Sequence, residues 1–576
     1  MDLHDHRHLR GDHKTQSGIE VKETYTPQDI AHLSFDQDIS LPGAYPYTRG
    51  SYPRMYREKL WVTGNPFLAG PLPYLSEMGI DPGDYLKELL GTAVPSSGIR
   101  TSGDYFNLAT VDPDHPLVKY DIGNCTGPLY SIWQMLHGDR KWHAQLLLQS
   151  LDEGLVIELG HQAGPPDVCE YSMYLAVLEA LGRDPAKLRG NMVNDPLASQ
   201  ITRCMNYKQP LEVSLRVSCD GQEYAYRNTP LFRPTNAGCG YDMREAGINT
   251  FQELAFRFAT FIEYSDEMIR RGLRFEDFGS RPAMAFSGEI DFFETICKLR
   301  AARRMWARIG HQRYGADTSK MRCPPVNTNC AGDSMTQRQQ LFNVIRQTIE
   351  AMASVLGGVN GMEMKGYTEG VSPPPIEAWV VNRGIERIVA EEANLCLTAD
   401  PLAGSYYVEW LTDRIEKGSM ELLQQILDQG GVIASVRSGW IQAEVERAAQ
   451  ERSLEFEEGR KIRVGDNAYL ELNDYPITLP QFPFTRGKPG APYTEAQRGH
   501  HQTWESFKQS RDLAQVEPAL QELYRMTKQG HNVIPGMVRA WKAFATIGEV
   551  MGVIREGMGF AYDQFEMVPR PAWLHY

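Results

Sequence analysis

Between residues 90 and 410 the chain alternates two textures, and this alternation limits the fold more than any other feature. Short stretches of small, apolar and polar residues read as buried strands with their loops. They are SSGIRTSGDYF (96–106), GLVIELGH (154–161), LRGNMVND (188–195), RPTNAGCGYDM (233–243), RPAMAFSGE (281–289), KMRCPPVNTNC (320–330) and GGVNGMEMKGY (357–367). Between several of them lie amphipathic helices, predicted over 250–272, 291–315 and 339–358, the last stopped by Gly357 and Gly358. Repeated strand–helix alternation implies parallel βα units. Roughly seven or eight such units point to an α/β protein with a (β/α)8 TIM barrel. Periodicity leaves a doubly wound sheet open as the alternative.

The flanks divide around that centre. Residues 1–24 are polar, with His4, His6, His8 and His13, and read as a disordered tail rather than a metal tract. Residues 25–90 hold LPGAYPYTRGSYPRMY and predict an extended arm leading into the barrel. The barrel is assigned to 91–412, and 413–576 to a mostly helical C-terminal region with a Pro-rich wrap near 470–500. A net charge of -14 argues against a general nucleic-acid binder. The nine cysteines form no CxxC pair, which suits reduced thiols in a cytosol and argues against a zinc ribbon. No metal site is expected on the chain. There is no apolar signal region and no run of 18 apolar residues, so a cytoplasmic, soluble protein is expected.

In a barrel, reactive side chains sit at the C-terminal strand ends. The strand-like stretches and the loops after them carry Arg100, Asp104, Glu158, His161, Asp195, Arg203, Asp242, Glu245, Arg281, Glu289, Asp333, Glu363, Lys365 and Glu369. Taken singly, each is better explained by a solvated strand end. As a set they point to a site, because burying unpaired charge is costly. The densest segment, GYDMREAG (240–247), reads as a strand-to-helix turn, with a helix starting at Asn249 or Thr250. No GxSxG elbow, P-loop or HExxH segment is present. The residues alone therefore give a large barrel with a mixed-charge mouth, and no reaction.

Seven ordered blocks add a resemblance. LPGAYPYTRGSYPRMYREKLW (41–61), DPDHP (112–116), GYDMREAG (240–247), DFFETICKLRAARRMW (291–306), NVIRQTIEAMASVLGG (343–358), GYTEG (366–370) and DPLAGSYYVE (400–409) resemble the large catalytic chain of the methylmalonyl-CoA mutase family. The resemblance implies a barrel that binds an acyl-CoA along its axis. It also implies adenosylcobalamin, held over the C-terminal face by a domain with a DxHxxG segment. No DxHxxG occurs here. A small cobalamin-binding partner subunit, in a hetero-oligomer, is therefore expected. The activity implied is a radical carbon-skeleton rearrangement, in which the barrel positions substrate and shields radicals.

Carried over residue by residue, the resemblance implies Glu245 and Glu369 at the adenosyl ribose, with Asn329 also facing the cofactor. It implies Tyr241 and Asp242 as catalytic, and Arg203, Arg281, Ser102, Pro66 and Lys59 as substrate-facing. Two carboxylates suit vicinal hydroxyls, and guanidinium suits carboxylate or phosphate. The departures lie on the substrate side. The family's histidine near the substrate carbonyl is Asp242, and a radical-shielding aromatic is Pro66. The segment that resembles HTNxxDE reads Glu363-Met364-Lys365-Gly366-Tyr367-Thr368-Glu369. The expectation is a branched or polar acyl-CoA other than methylmalonyl-CoA. Two alternatives are a mutase-like isomerase on a polar substrate without CoA, and a silent barrel that only binds a cobalamin subunit. Retention of Glu245 and Glu369 speaks against the silent barrel.

Overall fold

The computed structural model describes residues 13–63, 99–100, 112–116, 129–138, 141–153, 157–159, 165–203, 208–235, 240–369, 376–470 and 495–574. Ser102 and Pro66 lie outside these residues, as do Asp104 and His161.

Among the described residues there are eight short strands: β1 (Val62–Thr63), β2 (Ile99–Arg100), β3 (Ile157–Leu159), β4 (Gly190–Met192), β5 (Phe232–Arg233), β6 (Met284–Gly288), β7 (Val326–Cys330) and β8 (Gly361–Glu363). They form two parallel four-stranded sheets, in the orders β2-β3-β4-β5 and β6-β7-β8-β1. The amide of Ala283 donates to the Thr235 carbonyl at 3.0 Å, joining the end of β5 to the start of β6. No strand pairing between β1 and β2 is seen among the described residues. The expected strand stretches supply β2 to β8, with β5 at the leading edge of 233–243.

Helices fill the connections: α1 (Lys141–Glu153), α2 (Pro165–Ala180), α3 (Pro196–Thr202), α4 (Leu211–Asn228), α5 (Gly240–Glu245), α6 (Thr250–Arg270), α7 (Phe292–Tyr314), α8 (Leu341–Leu356) and α9 (Ile376–Arg387). The C-terminal part holds α10 (Tyr406–Asp428), α11 (Gly431–Ser438), α12 (Trp440–Glu457), α13 (Glu495–Ser510), α14 (Leu513–Lys528), α15 (Ile534–Lys542) and α16 (Ile547–Gly557). The three predicted amphipathic helices are α6, α7 and α8. Asn249 caps α6 and Gly315, in the left-handed region at φ 66°, ends α7, so both ends follow from local chemistry.

Three boundaries differ from expectation. The arm over 25–90 contains β1, whose amide at Val62 donates to Asn360 O at 2.9 Å. Fully buried Trp61, edge-on to Tyr56 with centroids 5.2 Å apart, anchors it. A two-residue strand has no readable period. The tail expected to be disordered over 1–24 is packed against the molecule from residue 13 on. Gln16 N donates to Asp291 Oδ2 at 2.8 Å and Ser17 N to Glu294 at 2.9 Å, while Ile19 is buried. The polar tail residues thus find acceptors at the N-terminus of α7. Finally, the helical region from 413 is not one unit. Helices α10 to α12 share a core with α6, α7 and β6–β8, whereas α13 to α16 share a second core with α2 and α4.

The arm is held by arginines along α7. Arg300 pairs with Asp400 and with Glu409, the latter at 2.6 Å. Arg303 donates to the carbonyls of Tyr47, Thr48 and Gly358. Arg304 and Arg308 both reach Glu416, and Arg308 also pairs with Asp38 at 2.5 Å. The blocks at 291–306 and 400–409 therefore carry much of their pattern for packing.

Candidate active site

The C-terminal ends of β5 to β8 bring a charged cluster together. Gly240 opens α5 in close contact with β6: a Cβ there would stand 2.7 Å from Ala285 O and 2.9 Å from Glu253 Oε1. Only glycine admits that approach. The turn expected at 240–247 is thus a short helix, and it aims Tyr241, Asp242 and Glu245 at the rim.

Glu245 Oε1 accepts the backbone N–H groups of Gly332 (3.0 Å) and Asp333 (3.3 Å) in the loop after β7. The loop backbone passes close by at Gly332, where a Cβ would lie 3.0 Å from Tyr241 Oη and 3.3 Å from Glu245 Oε2. Beneath this loop, Arg244 meets Glu289 at 3.2 Å with both side chains nearly inaccessible. Arg452 of α12 pairs with Asp333. Lys298 meets Glu253 at 2.6 Å in full burial, and Ser287 N donates to the same carboxylate at 2.7 Å. Glu350 of α8 accepts from Ser334 Oγ (2.6 Å) and Gln347 Nε2 (2.7 Å).

Among the described residues carboxyl groups outnumber cations here, and the ionisation follows. Burial first, then Asp333 and Glu289, push the Glu245 carboxyl up to about 8. Burial and the Glu289 charge raise Asp333. Burial drives Glu350 well above the carboxylate range. Glu289 goes the other way: burial would raise it, but Arg244, Lys298 and Arg452 hold it low.

Over β8, Lys365 Nζ lies 4.5 Å from the Tyr241 ring centroid and 3.2 Å from Glu363 Oε1. Burial drives the Tyr241 phenol well above its ordinary value, with Lys365, Glu245, Glu369 and Asp242 the charges that act on it. Asn329 is the Cα partner of Glu363 and of Ser287, one layer below the rim. Glu369 is exposed beside Thr368, whose Oγ1 is buried with no hydrogen-bond partner among the described residues. The structure thus gathers Tyr241, Asp242, Glu245, Lys365 and Glu369 by contact or charge.

Other expected residues stand elsewhere. Arg203 caps α3 in the left-handed region at φ 54°, and its exposed guanidinium pairs with Glu446 at 3.2 Å. Arg281 precedes β6, at the opposite strand end. Its guanidinium lies 4.8 Å from the Tyr226 ring centroid and donates to the carbonyls of Ala225, Tyr226, Thr229 and Phe232. It closes the C-terminus of α4. Lys59 precedes β1 at that same end, exposed, 5.0 Å from the Tyr52 ring centroid. Asp195 caps α3 and pairs with buried Arg257, a packing role. Arg244, Arg452 and Glu350 were missed by sequence reasoning. Arg244 lay inside the densest motif; nothing local marks the other two.

Comparisons with known proteins give the family of the chain. A family model for methylmalonyl-CoA mutase matches residues 14–560. A 2-hydroxyisobutanoyl-CoA mutase large subunit from Aquincola tertiaricarbonis is 31% identical over 92% of this chain and 89% of its own length. The methylmalonyl-CoA mutase of Escherichia coli is 30% identical over 97% of this chain and 73% of its own. The human mitochondrial methylmalonyl-CoA mutase is 26% identical over 95% of this chain. The chain belongs to the methylmalonyl-CoA mutase family, and it is an enzyme of the mutase, or isomerase, class.

Proposed function

We propose that the protein is the large, substrate-binding subunit of an adenosylcobalamin-dependent mutase acting on a branched or polar acyl-CoA other than methylmalonyl-CoA. The observation that carries this is the pairing of intact Glu245 and Glu369 with a changed substrate side. Glu245 Oε1 takes both backbone hydrogen bonds, so Oε2 keeps its acceptor capacity. With Glu369 and the orphaned Thr368 Oγ1 it fits a ribose diol. When bound, adenosylcobalamin supplies one-electron chemistry through homolysis of its cobalt–carbon bond. The chain's own residues hold the adenosyl group, orient the acyl group beside Tyr241 and Asp242, and keep water out.

The strand order supports a closed (β/α)8 barrel, since 2-3-4-5 and 6-7-8-1 are the two halves of such a ring. Lys59 and Arg281 at one end and the carboxylates at the other suit an acyl-CoA lying along its axis. The partner is a small cobalamin-binding subunit bearing DxHxxG, in keeping with a relative described as a large subunit. A cytosolic location follows from the reduced cysteine pattern; among the described residues no helix is long and apolar enough to cross a membrane. The engagement of Arg281 by four carbonyls favours a second reading, a polar substrate without CoA. Calorimetry with free CoA separates the two, because the first reading requires binding.

The test is reconstitution with the small subunit and adenosylcobalamin, followed by turnover of an acyl-CoA panel read by mass spectrometry. Isomerisation of a branched or hydroxylated acyl-CoA is expected. Clean turnover of methylmalonyl-CoA would overturn the substrate half of the proposal. Failure of the mixture to bind adenosylcobalamin would overturn the rest.

A further inference from the structure

Beside the carboxylate cluster, a cavity of about 470 Å³ opens among the loops after β6 and β7, the first turns of α8, the end of α12 and residues 462–464. Much of its wall is aliphatic. Ile290, Ile345, Ile462 and Val464 line it, and all four are exposed. Exposed apolar side chains drawn from three separate segments into one concavity differ from the single ones scattered over an ordinary surface.

The polar part of the wall is cationic. Arg346 is buried, and its acceptors are Thr336 Oγ1 (3.1 Å), Asn343 Oδ1 (2.8 Å) and Val464 O (2.6 Å), none of them a carboxylate. Arg463 lies 4.5 Å from the Phe456 ring centroid, and exposed Asp466 is 3.5 Å from it, outside hydrogen-bond range. Arg452 is the third guanidinium in the wall, paired with Asp333. The crowding shows in their ionisation. Burial first, then the Arg463 charge, lower Arg346, against Glu350 and Asp466. Burial first, then Arg244, lower Arg452, and Arg463 adds to this. A buried cation without a carboxylate partner is costly, and an anion in the cavity relieves that cost.

An aliphatic wall that ends in guanidiniums complements an amphipathic anion. Hydrocarbon covers the apolar side chains, and a planar carboxylate takes paired N–H donors. The volume lies within the roughly 300–1,000 Å³ of small-ligand sites. Inorganic phosphate has the charge but nothing to cover the wall.

We propose that this cavity is a second binding site, for a small monocarboxylic acid with an aliphatic body held by Arg346 and Arg463, and that its occupancy is coupled to the loop that holds Glu245. Arg452 makes the connection. It lines the cavity and pairs with Asp333, whose N–H, with that of Gly332, donates to Glu245. A carboxylate that draws on Arg452 competes with Asp333 and loosens that loop. The coupling rests on the reading of Glu245 as a ribose ligand; the binding site does not.

The test titrates octanoate, octanamide and inorganic phosphate calorimetrically into the full chain, as wild type, Arg463→Gln and Ile345→Asp. Both substitutions fall on surface side chains away from the two cores. Octanoate should bind about tenfold or more tightly than octanamide, the factor that hydrogen bonding to a charged group supplies, and phosphate should not bind. Arg463→Gln should remove the preference for acid over amide, and Ile345→Asp should weaken octanoate about tenfold or more. Equal affinity for acid and amide, octanoate binding untouched by both substitutions, or no saturable octanoate binding would overturn the site. Phosphate binding as tight as that of octanoate would overturn the amphipathic class. In the complex with the small subunit, saturating octanoate should lower adenosylcobalamin affinity about fivefold or more, and adenosylcobalamin should lower octanoate affinity by the same factor. Arg463→Gln should abolish both effects. Unchanged adenosylcobalamin affinity would overturn the coupling. Displacement of octanoate by the small subunit alone would give the cavity to the partner and overturn the proposal. If adenosylcobalamin does not bind the complex at all, the reading of Glu245 fails, and the titrations of the chain alone still decide the site.

Discussion

Two regions of this molecule bury many charges, and they are not alike. Along α7, the buried arginines each meet carboxylates or backbone carbonyls. Arg300 faces Asp400 and Glu409, Arg304 and Arg308 face Glu416, and Arg303 faces three carbonyls. Asp413, in the same web, has its carboxyl held below the usual range by Lys417, His32 and Arg304 despite burial. At the rim, carboxyls exceed cations, and Glu245, Asp333 and Glu350 are raised. Buried charge as such therefore does not mark a site. Charge left in excess, with acceptor capacity toward the mouth, does.

The largest effect expected from breaking this contrast lies in the matched web. Arg300→Met leaves buried Glu409 without its cation and Asp400 with Arg49 alone, and should cost about 3–5 kcal/mol of stability, read by denaturant unfolding. A loss below about 1 kcal/mol would mean that the web is screened or repacks. Glu245→Gln should do the reverse. Its carboxyl is largely protonated at neutral pH, so stability should change little. Above about pH 8, where the carboxylate is ionised, adenosylcobalamin affinity in the complex should fall about tenfold or more, since a hydrogen bond to a charged group is worth about 1.5–3 kcal/mol.

The next expectation is a pH dependence. With a free-site value of about 8, Glu245 must release a proton to act as a ribose acceptor. Affinity should therefore rise from pH 6 and level off above about 8, by at most about tenfold per unit. Equilibrium binding measured across that range checks it, and Glu245→Gln should flatten the profile. The smallest effect concerns the second core. Half-buried Asp112 accepts from Thr546 Oγ1 (2.7 Å) and Gly548 N (2.9 Å), and desolvation with Glu549 nearby pushes it up to about 7. A raised carboxyl stabilises below its unfolded value and loses that contribution as pH rises through 7. Asp112→Asn should make stability between pH 5 and 8 less pH-dependent, as thermal melts would show.

Much of this was legible in the chain. The helices α6 to α8 announce themselves by period and by their caps, and the strand stretches between them placed Glu245 and Lys365 near strand ends. What was not legible depends on distance in sequence. Arg452 reaches Asp333 across more than a hundred residues, and Glu245 is held by backbone N–H groups of Gly332 and Asp333, which no side-chain pattern encodes. Arg281 carries a guanidinium suited to phosphate, yet the fold sets it against the carbonyls that end α4. Strand β1 hid in a Pro- and Tyr-rich arm because two residues have no period.

The most direct measurement is electron paramagnetic resonance of the reconstituted complex, large and small subunits with adenosylcobalamin, before and after a hydroxylated acyl-CoA is added. The account predicts no paramagnetic cobalt until the thioester is present, then a signal that Glu245→Gln diminishes. A complex that binds adenosylcobalamin yet gives no signal with any acyl-CoA would contradict it.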